Sequence, residues 1–185
     1  AALQAAEASR SLAAKWRKRG RPGFRTRFGL HAGLALVGNV GARDRINYTL
    51  VGAVANQASR LEGLNKVYGT DILASGEVAA RTADRFVWRP IDRIVAAGTT
   101  EVMEIFEPLC EAAVAAEQVP FMERWLAGRE AYLGGRFDEA IAHFKAAAAL
   151  RHGDGPCRVL IARCTEFSRT GLPAGWEGAW HFDQK

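Results

Sequence analysis

A glycine-rich strand segment that leads directly into a helix constrains the fold of this chain more than any other feature. Three motifs form it, in the order Gly38-Asn39-Val40-Gly41, Tyr48-Thr49-Leu50-Val51-Gly52 and Asn56-Gln57-Ala58-Ser59-Arg60-Leu61-Glu62. Asn56 and Arg60 lie four residues apart near the start of the helix, so their side chains share one face. A guanidinium suits phosphate oxygens, and an amide both donates and accepts hydrogen bonds. The pattern predicts a site for a phosphorylated sugar.

The same two residues also allow a structural interpretation, namely a surface amide and an ion pair of Arg60 with Glu62 or with an acid in a loop. Helical periodicity over residues 53–68 helps to choose between the two. The apolar stripe of this helix consists of Val54, Ala58, Leu61 and Tyr68. Asn56 and Arg60 fall roughly opposite that stripe, so we expect them to face a groove or a partner.

Length and composition allow a folded chain with a core of its own. The chain has 185 residues, 49% of them hydrophobic, and a formal net charge of +5, which disfavours disorder of the whole chain. Within thirteen positions lie seven basic residues: Lys15, Arg17, Lys18, Arg19, Arg21, Arg25 and Arg27. We interpret them as a solvated helix end and loop, because no nucleic-acid motif accompanies them.

Cysteine spacing and hydropathy indicate the compartment. The three cysteines, Cys110, Cys157 and Cys164, match no metal-binding spacing and are odd in number, which favours a reducing compartment. Cys157 and Cys164 belong to an apolar helical pattern, so we expect buried thiols. No run is long enough to span a membrane and the N-terminus is not a signal peptide. We expect a soluble, cytoplasmic piece of a longer protein, which itself can be membrane-anchored.

Helices and strands alternate through residue 109, which predicts an α/β (α+β) layer structure. Periodicity and glycine positions predict helices over 1–19, 53–68 and 76–82 and strands over 24–32, 48–51, 71–75, 86–96 and 102–108. Residues 34–37 read as a buried apolar run, and residues 42–45 as a charged turn. Gly69 is a natural stop for the second helix.

The last third of the chain is purely helical in pattern, and we call residues 121–185 the tail. Small and aromatic residues at the spacing of a tetratricopeptide helix pair are Gly128, Gly135, Phe137, Ala140, Phe144 and Ala147. A turn at 134–136 and a third helix over 156–168 complete it, and the segment around Trp176 and Trp180 reads as irregular. One repeat cannot stand alone as a solenoid, so we expect the tail to pack on its neighbour or to dock a protein partner. The predicted organisation is a domain over 1–109, a linker over 110–120 and a small all-α extension over 121–185.

Taken together, the motifs resemble the C-terminal half of a class III adenylyl/guanylyl cyclase catalytic domain. Besides the three motifs above, the resemblance rests on four further segments: Leu30-His31-Ala32-Gly33, Asn65-Lys66-Val67-Tyr68-Gly69-Thr70, Ile91-Asp92-Arg93 and Glu104-Ile105-Phe106. The resemblance covers roughly residues 1–109 and implies the C-terminal part of a ferredoxin-like nucleotide cyclase domain. The tail is similar to the helical extension that follows some bacterial cyclase domains, with its Asp154-Gly155-Pro156 turn and its Trp176-Glu177-Gly178 motif.

The resemblance implies that the 3′-hydroxyl of ATP or GTP attacks the α-phosphate and expels pyrophosphate, with two Mg²⁺ or Mn²⁺ ions held by two aspartates. In such domains the position of Asn56 orients the ribose, and that of Arg60 stabilises charge on the α-phosphate. Thr49 and Gly52 match nucleotide-binding positions, and the Thr49 position reads the purine edge without deciding between ATP and GTP. The site forms across a homo- or heterodimer, in which one subunit gives the aspartates and the other gives the Asn and Arg.

This chain departs from the family pattern in ways that matter for activity. The half-domain with both metal aspartates is absent, so we predict no metal ligands here. Ala53 replaces a usual Asp, Leu34 follows Gly33 where a polar residue is commoner, and Ala97 and Thr99 replace the lysines of a turn that reaches the triphosphate. We therefore expect that the chain alone does not cyclise nucleotides.

Two other functions remain open at this point. One is a non-catalytic cyclase-like regulatory or binding module with a docking tail, which the lost lysines favour. The other is nucleic-acid binding through the basic segment, which a steep salt dependence would indicate and which we do not expect. We interpret His31 as structural because it has no acidic partner nearby in sequence. We expect Asp44 to pair with a neighbouring arginine rather than with a metal.

Overall fold

A computed structural model describes residues 1–42, 45–95, 100–173 and 175–182. The helices are α1 (Ala2–Lys18), α2 (Ala53–Tyr68), α3 (Gly76–Arg81), α4 (Val119–Leu133), α5 (Phe137–Leu150) and α6 (Gly155–Thr170). The strands are β1 (Phe28–Leu30), β2 (Leu36–Ala42), β3 (Arg45–Val51), β4 (Ile72–Ser75), β5 (Phe86–Val95), β6 (Val102–Glu111) and β7 (Trp180–His181), and a 3-10 helix covers Ala112–Gln118. The predicted mixed α+β class is confirmed.

Five strands form one mixed sheet in the order β1-β4-β6-β5-β7. β1 pairs with β4 in parallel, and β6 runs antiparallel to both β4 and β5. β7 adds to β5 in parallel, with Ile94 opposite Trp180. The segment around Trp180, which reads as irregular in the sequence, therefore contributes a short edge strand.

β2 and β3 form a separate antiparallel hairpin with Thr49 opposite Gly38. The predicted burial of residues 34–37 is wrong, because Leu34 is 99% exposed and Leu36 is 80% exposed. Within the described ranges, the two strands pair only with each other and no second layer covers them. The expected ion pairing of Asp44, in the predicted charged turn, lies outside the described residues.

The first strand is shorter than the predicted strand over 24–32, and a side chain accounts for the difference. The guanidinium of Arg25 donates to the carbonyls of Gly69 and Thr70 at 2.6 and 3.1 Å and to the carboxylate of Asp71 at 2.9 Å. Backbone pairing with the segment before β4 starts only where the amide of Phe28 donates to the carbonyl of Asp71. The side chain of Arg25 thus takes the acceptors that a longer strand would use.

The tail packs on the sheet and on α2 within one hydrophobic core. Buried side chains of α2, β4, β5 and β6 belong to the same cluster as buried side chains of α4, α5 and α6, among them Leu61, Tyr68, Ile91, Ile105, Trp125, Phe144 and Leu160. The indole of Trp125 donates to the carbonyl of Pro90 on β5 at 2.8 Å. The segment over 110–120, which we assigned as a linker, holds the end of β6 and the 3-10 helix.

The two cysteines of α6 are buried free thiols, as predicted. Burial raises the pKa of Cys164 to about 12, so the thiol stays protonated at neutral pH and is a poor nucleophile. Among the helices of the described residues, none has both the length and the apolar character needed to cross a bilayer.

A buried group of charges joins the tail to the sheet. Arg89 on β5 is fully buried, and its guanidinium donates to both carboxylate oxygens of Asp154 at 3.0 and 2.9 Å. The same guanidinium binds the carboxylate of Glu107 on β6 and lies over the ring of Trp125, 4.6 Å from its centroid. Asp154 also accepts from the amide of Cys157 at the start of α6. Separation of the tail from the sheet would therefore leave buried charges of both without partners.

We predict that Arg89→Met lowers the free energy of unfolding by about 3–5 kcal/mol, because it leaves the buried Asp154 and Glu107 carboxylates with the longer contacts to the partly exposed Arg151, at 3.6 and 3.4 Å, in place of a buried partner. Urea denaturation followed by tryptophan fluorescence measures the loss. Arg136→Met is the matched control, since its ion pair with Glu139 is half exposed on both sides and contributes at most about 1 kcal/mol. Equal losses in the two variants would contradict the prediction.

Candidate functional site

Close contact with β1 fixes the approach of α2 to the sheet. A β-carbon at Gly29 would lie 2.0 Å from the carbonyl oxygen of Ala58 and 2.4 Å from the amide nitrogen of Glu62. Real side chains do not occupy such space, so glycine is required where strand and helix backbones touch. The contact sets the distance between α2 and the sheet.

Asn65 ties the same helix to β1 through its buried amide. Its Nδ2 donates to the carbonyl oxygen of Phe28 at 3.0 Å, and its Oδ1 accepts from the hydroxyl of Thr70 at 2.7 Å. In the sequence, Asn65 stands out only as the first residue of the motif over residues 65–70. Its position four residues after the buried Leu61 was the available signal for a role in the core.

α2 has the predicted bounds, and Gly69 ends it in the left-handed conformation with φ 71°. The core stripe is partly confirmed: Leu61 and Tyr68 are buried, whereas Val54 and Ala58 are half-buried.

Asn56 and Arg60 lie outside the buried face of α2. Asn56 is exposed and Arg60 is half-buried, and in the part of the chain that is described no protein hydrogen bond or ion pair engages either side chain. The alternative ion pair between Arg60 and Glu62 does not form, because residues two apart on a helix do not face each other, and Glu62 accepts from Arg27 at 2.9 Å. The guanidinium of Arg60 is therefore available to an anion from outside the described part of the chain.

Thr49 and Gly52 precede this pair along one strand–turn–helix unit. Thr49 is exposed on β3, and Gly52 stands immediately before α2 with φ 143° and ψ 172°, a conformation that side chains rarely adopt. The hairpin therefore continues into α2 without a loop. All four sequence-predicted site residues lie on this unit, and none of them is buried.

A cleft of about 230 Å³ lies on the Gln57 side of α2 and is acidic. Its lining includes Glu77, Glu101 and Glu104, together with His31, Gln57 and Ser75. His31 Nδ1 lies 2.8 Å from Ser75 Oγ, a contact that joins the end of β1 to the end of β4 and supports the structural interpretation of His31. Two of its carboxylates, those of Glu77 and Glu104, pair with Arg81 and Arg129 at 2.6 and 2.9 Å, so part of the negative charge of the cleft is offset.

The described residues do not suit a divalent metal. Across residues 1–42, 45–95, 100–173 and 175–182, no three His, Cys, Asp or Glu side chains come together in a way that could hold an ion. Ala97 and Thr99, which stand where the family pattern has lysines, lie outside the described residues.

No family model matches the chain, but individual proteins do. Adenylate cyclase 1 from Rhizobium meliloti (strain 1021) is 50% identical over 91 residues, which cover 49% of this chain and 14% of that protein. The terminal-differentiation-specific adenylate cyclase of Dictyostelium discoideum is 27% identical over 153 residues, or 78% of this chain and 7% of that protein. The chain thus spans only a small part of the length of these relatives.

A solved structure agrees with the sequence relatives. The adenylyl cyclase CyaB from P. aeruginosa matches with a TM-score of 0.51 and 28% identity, over 58% of this chain and 54% of that one. The mixed sheet with its flanking helices fits the ferredoxin-like cyclase fold. Together these similarities support the presence of a class III cyclase domain in this chain, whereas the tetratricopeptide likeness of the tail stays a prediction.

We predict that Gly29→Ala destabilises the protein by about 1–3 kcal/mol, because the added methyl group forces α2 away from β1. Thermal and urea unfolding measure the change. Gly38→Ala serves as the control, since a β-carbon there meets nothing within 4 Å and should change stability by less than about 0.5 kcal/mol. If Gly29→Ala were as stable as Gly38→Ala, the close contact would not determine the position of α2.

Proposed function

We propose that this chain supplies the Asn and Arg half of a class III nucleotide cyclase site. In the complete protein this site converts ATP or GTP to the 3′,5′-cyclic nucleotide and pyrophosphate. The observation that carries the proposal is the state of Arg60. Its guanidinium has no protein partner among the described residues, and it projects from a helix whose other contacts are fixed by Gly29 and Asn65. The adenylate cyclase relatives and the CyaB fold support this assignment.

The proposed roles follow from the chemistry of the two side chains. Arg60 binds an oxygen of the α-phosphate and stabilises the charge that grows as the 3′-hydroxyl attacks. Asn56, one helical turn earlier, orients the ribose because its amide can both donate to and accept from sugar hydroxyls. Thr49 and Gly52 lie before α2 and contribute to binding of the nucleotide.

A divalent cation supplies Lewis-acid chemistry in cyclases of this class when it is bound. Since the described residues of this chain offer no ligand set for it, we assign the Mg²⁺ or Mn²⁺ ligands to another half-domain. We therefore propose that the chain alone is inactive.

The hairpin supports a second element of the proposal, dimerisation with another cyclase domain. Ile46 and Tyr48 are 61% and 76% exposed, and the register of β2 and β3 places Val40 and Val51 on the opposite face of the ribbon. Apolar side chains on both faces of a two-stranded ribbon are typical of a surface that a partner covers. A cytoplasmic location and a protein partner for the tail remain further parts of the proposal.

A non-catalytic cyclase-like binding module is the second candidate. Ala53, in place of the usual Asp at the start of α2, favours it. The two functions differ in one observable: the module binds nucleotide without turnover, whereas the cyclase releases pyrophosphate.

We predict that Arg60→Ala in the complete protein lowers kcat for cyclic nucleotide formation by about 10²–10³-fold, because Arg60 acts on charge that develops in the transition state. KM for the nucleotide should change much less. Ser59→Ala is the matched control, as Ser59 is the exposed neighbour on the same helix. Assays with Mn²⁺ and either ATP or GTP measure both constants. Wild-type turnover with an unaffected Arg60→Ala variant would contradict the proposed role, and nucleotide binding without turnover in the wild type would favour the binding module.

A further inference from the structure

The start of α6 touches the end of α2 backbone to backbone. A β-carbon at Gly155 would lie 1.9 Å from the carbonyl oxygen of Tyr68 and 3.0 Å from the Cα of Gly69. Gly69 in turn ends α2 in a left-handed conformation. The start of α6 therefore meets the end of α2 where position 155 has no room for a side chain, so we expect the two helix ends to move together.

Buried side chains also join α2 to α6 next to this backbone contact. The hydroxyl of Tyr68 donates to the carboxylate of Asp92 on β5 at 2.5 Å, and Arg163 of α6 binds the same carboxylate. Nη2 of Arg163 also donates to the hydroxyl of Tyr68 at 3.2 Å, and its guanidinium lies 4.0 Å from the ring centroid of Trp180. Burial and the Asp92 carboxylate raise the pKa of Tyr68 well above its ordinary value, so the phenol keeps the proton that it donates.

We expect a displacement of the end of α2 to reach the Asn56 and Arg60 side chains. A helix rises about 1.5 Å per residue, so Arg60 lies roughly 12 Å from Tyr68 along the same rod. Between them, Leu61 and Leu64 belong to the same core cluster as Leu160 of α6. The packed α2 and α6 therefore tend to move together.

We propose that the tail is a positioning element for the Asn56 and Arg60 pair, and that Gly155 and Arg163 are its positioning residues. This inference rests on the proposed cyclase function. In this proposal the tail acts on the cyclase site itself. A signal that moves α6 moves α2 as well, and so changes the position of Asn56 and Arg60 relative to the α-phosphate. Arg163 does not itself touch the nucleotide in this account.

The test compares variants of the complete protein that loosen this contact by different amounts. Tyr68→Phe removes only the shared hydroxyl, Arg163→Lys keeps the charge, and Arg163→Met removes it. We expect kcat to fall by about 10- to 100-fold in Arg163→Met with KM nearly unchanged, because a small misplacement of a catalytic group lowers the rate steeply. The kcat of Arg163→Lys should be higher than that of Arg163→Met. The kcat of Tyr68→Phe should lie between that of Arg163→Lys and that of the wild type.

Arg129→Met is the control for the loss of a more exposed ion pair. Arg129 of α4 binds Glu104 of β6 at 2.9 Å, so this variant also removes an ion pair between tail and sheet, but one that does not involve α2. It should retain wild-type kcat. A loss of kcat equal to that of Arg163→Met would overturn the inference, because it would indicate general loosening of the tail.

Amide hydrogen exchange of α2 provides a readout that needs no activity. Exchange over residues 57–64 should accelerate in Tyr68→Phe and in Arg163→Met, and it should stay at the wild-type rate in Arg129→Met. Exchange of the β6 amides should stay unchanged in Tyr68→Phe and Arg163→Met. If the wild-type protein made no cyclic nucleotide, the proposed function would fail, and exchange would still decide whether the tail positions α2. Wild-type exchange in α2 of the folded Arg163→Met variant would overturn the inference.

Discussion

The relative position of the sheet, α2 and the tail depends on the contacts of one buried carboxylate, that of Asp92. It lies on β5, accepts from the hydroxyl of Tyr68 on α2 and binds the guanidinium of Arg163 on α6. One buried acid thus joins the sheet, the helix that carries the candidate site and the tail. Because a buried carboxylate without partners is strongly destabilising, the three elements hold one relative position.

The remaining contacts of α2 explain why one face of it stays open. β1 touches it through the glycine at position 29, Asn65 anchors it, and α6 closes its C-terminal end. The contacts that hold α2 in place leave Asn56 and Arg60 without partners in the described part of the chain. A fixed helix that presents an amide and a guanidinium in this way is what we expect of one half of the proposed phosphate site.

The parts of the fold that could be predicted from the sequence are those that neighbouring residues determine. Helix α2 was predicted with the bounds that it has, because glycines stand just outside both of its ends. The exposure of the hairpin was missed, since apolar strands have the same composition whether a sheet or a partner covers them. Packing of the tail on its neighbour was one of two expected arrangements, but the charged residues that join tail and sheet were not predicted. Arg89 and Asp154 stand 65 residues apart, and no local pattern indicates that two such charges meet in the core.

A crystal structure of the complete protein with an unreactive ATP analogue and Mn²⁺ tests the central claim most directly. Our account predicts the guanidinium of Arg60 within about 3.2 Å of an α-phosphate oxygen, the amide of Asn56 at the ribose, and metal ligands from another half-domain. An analogue bound with its phosphates away from α2, or an Arg60 engaged by a protein carboxylate in the assembled dimer, would contradict it.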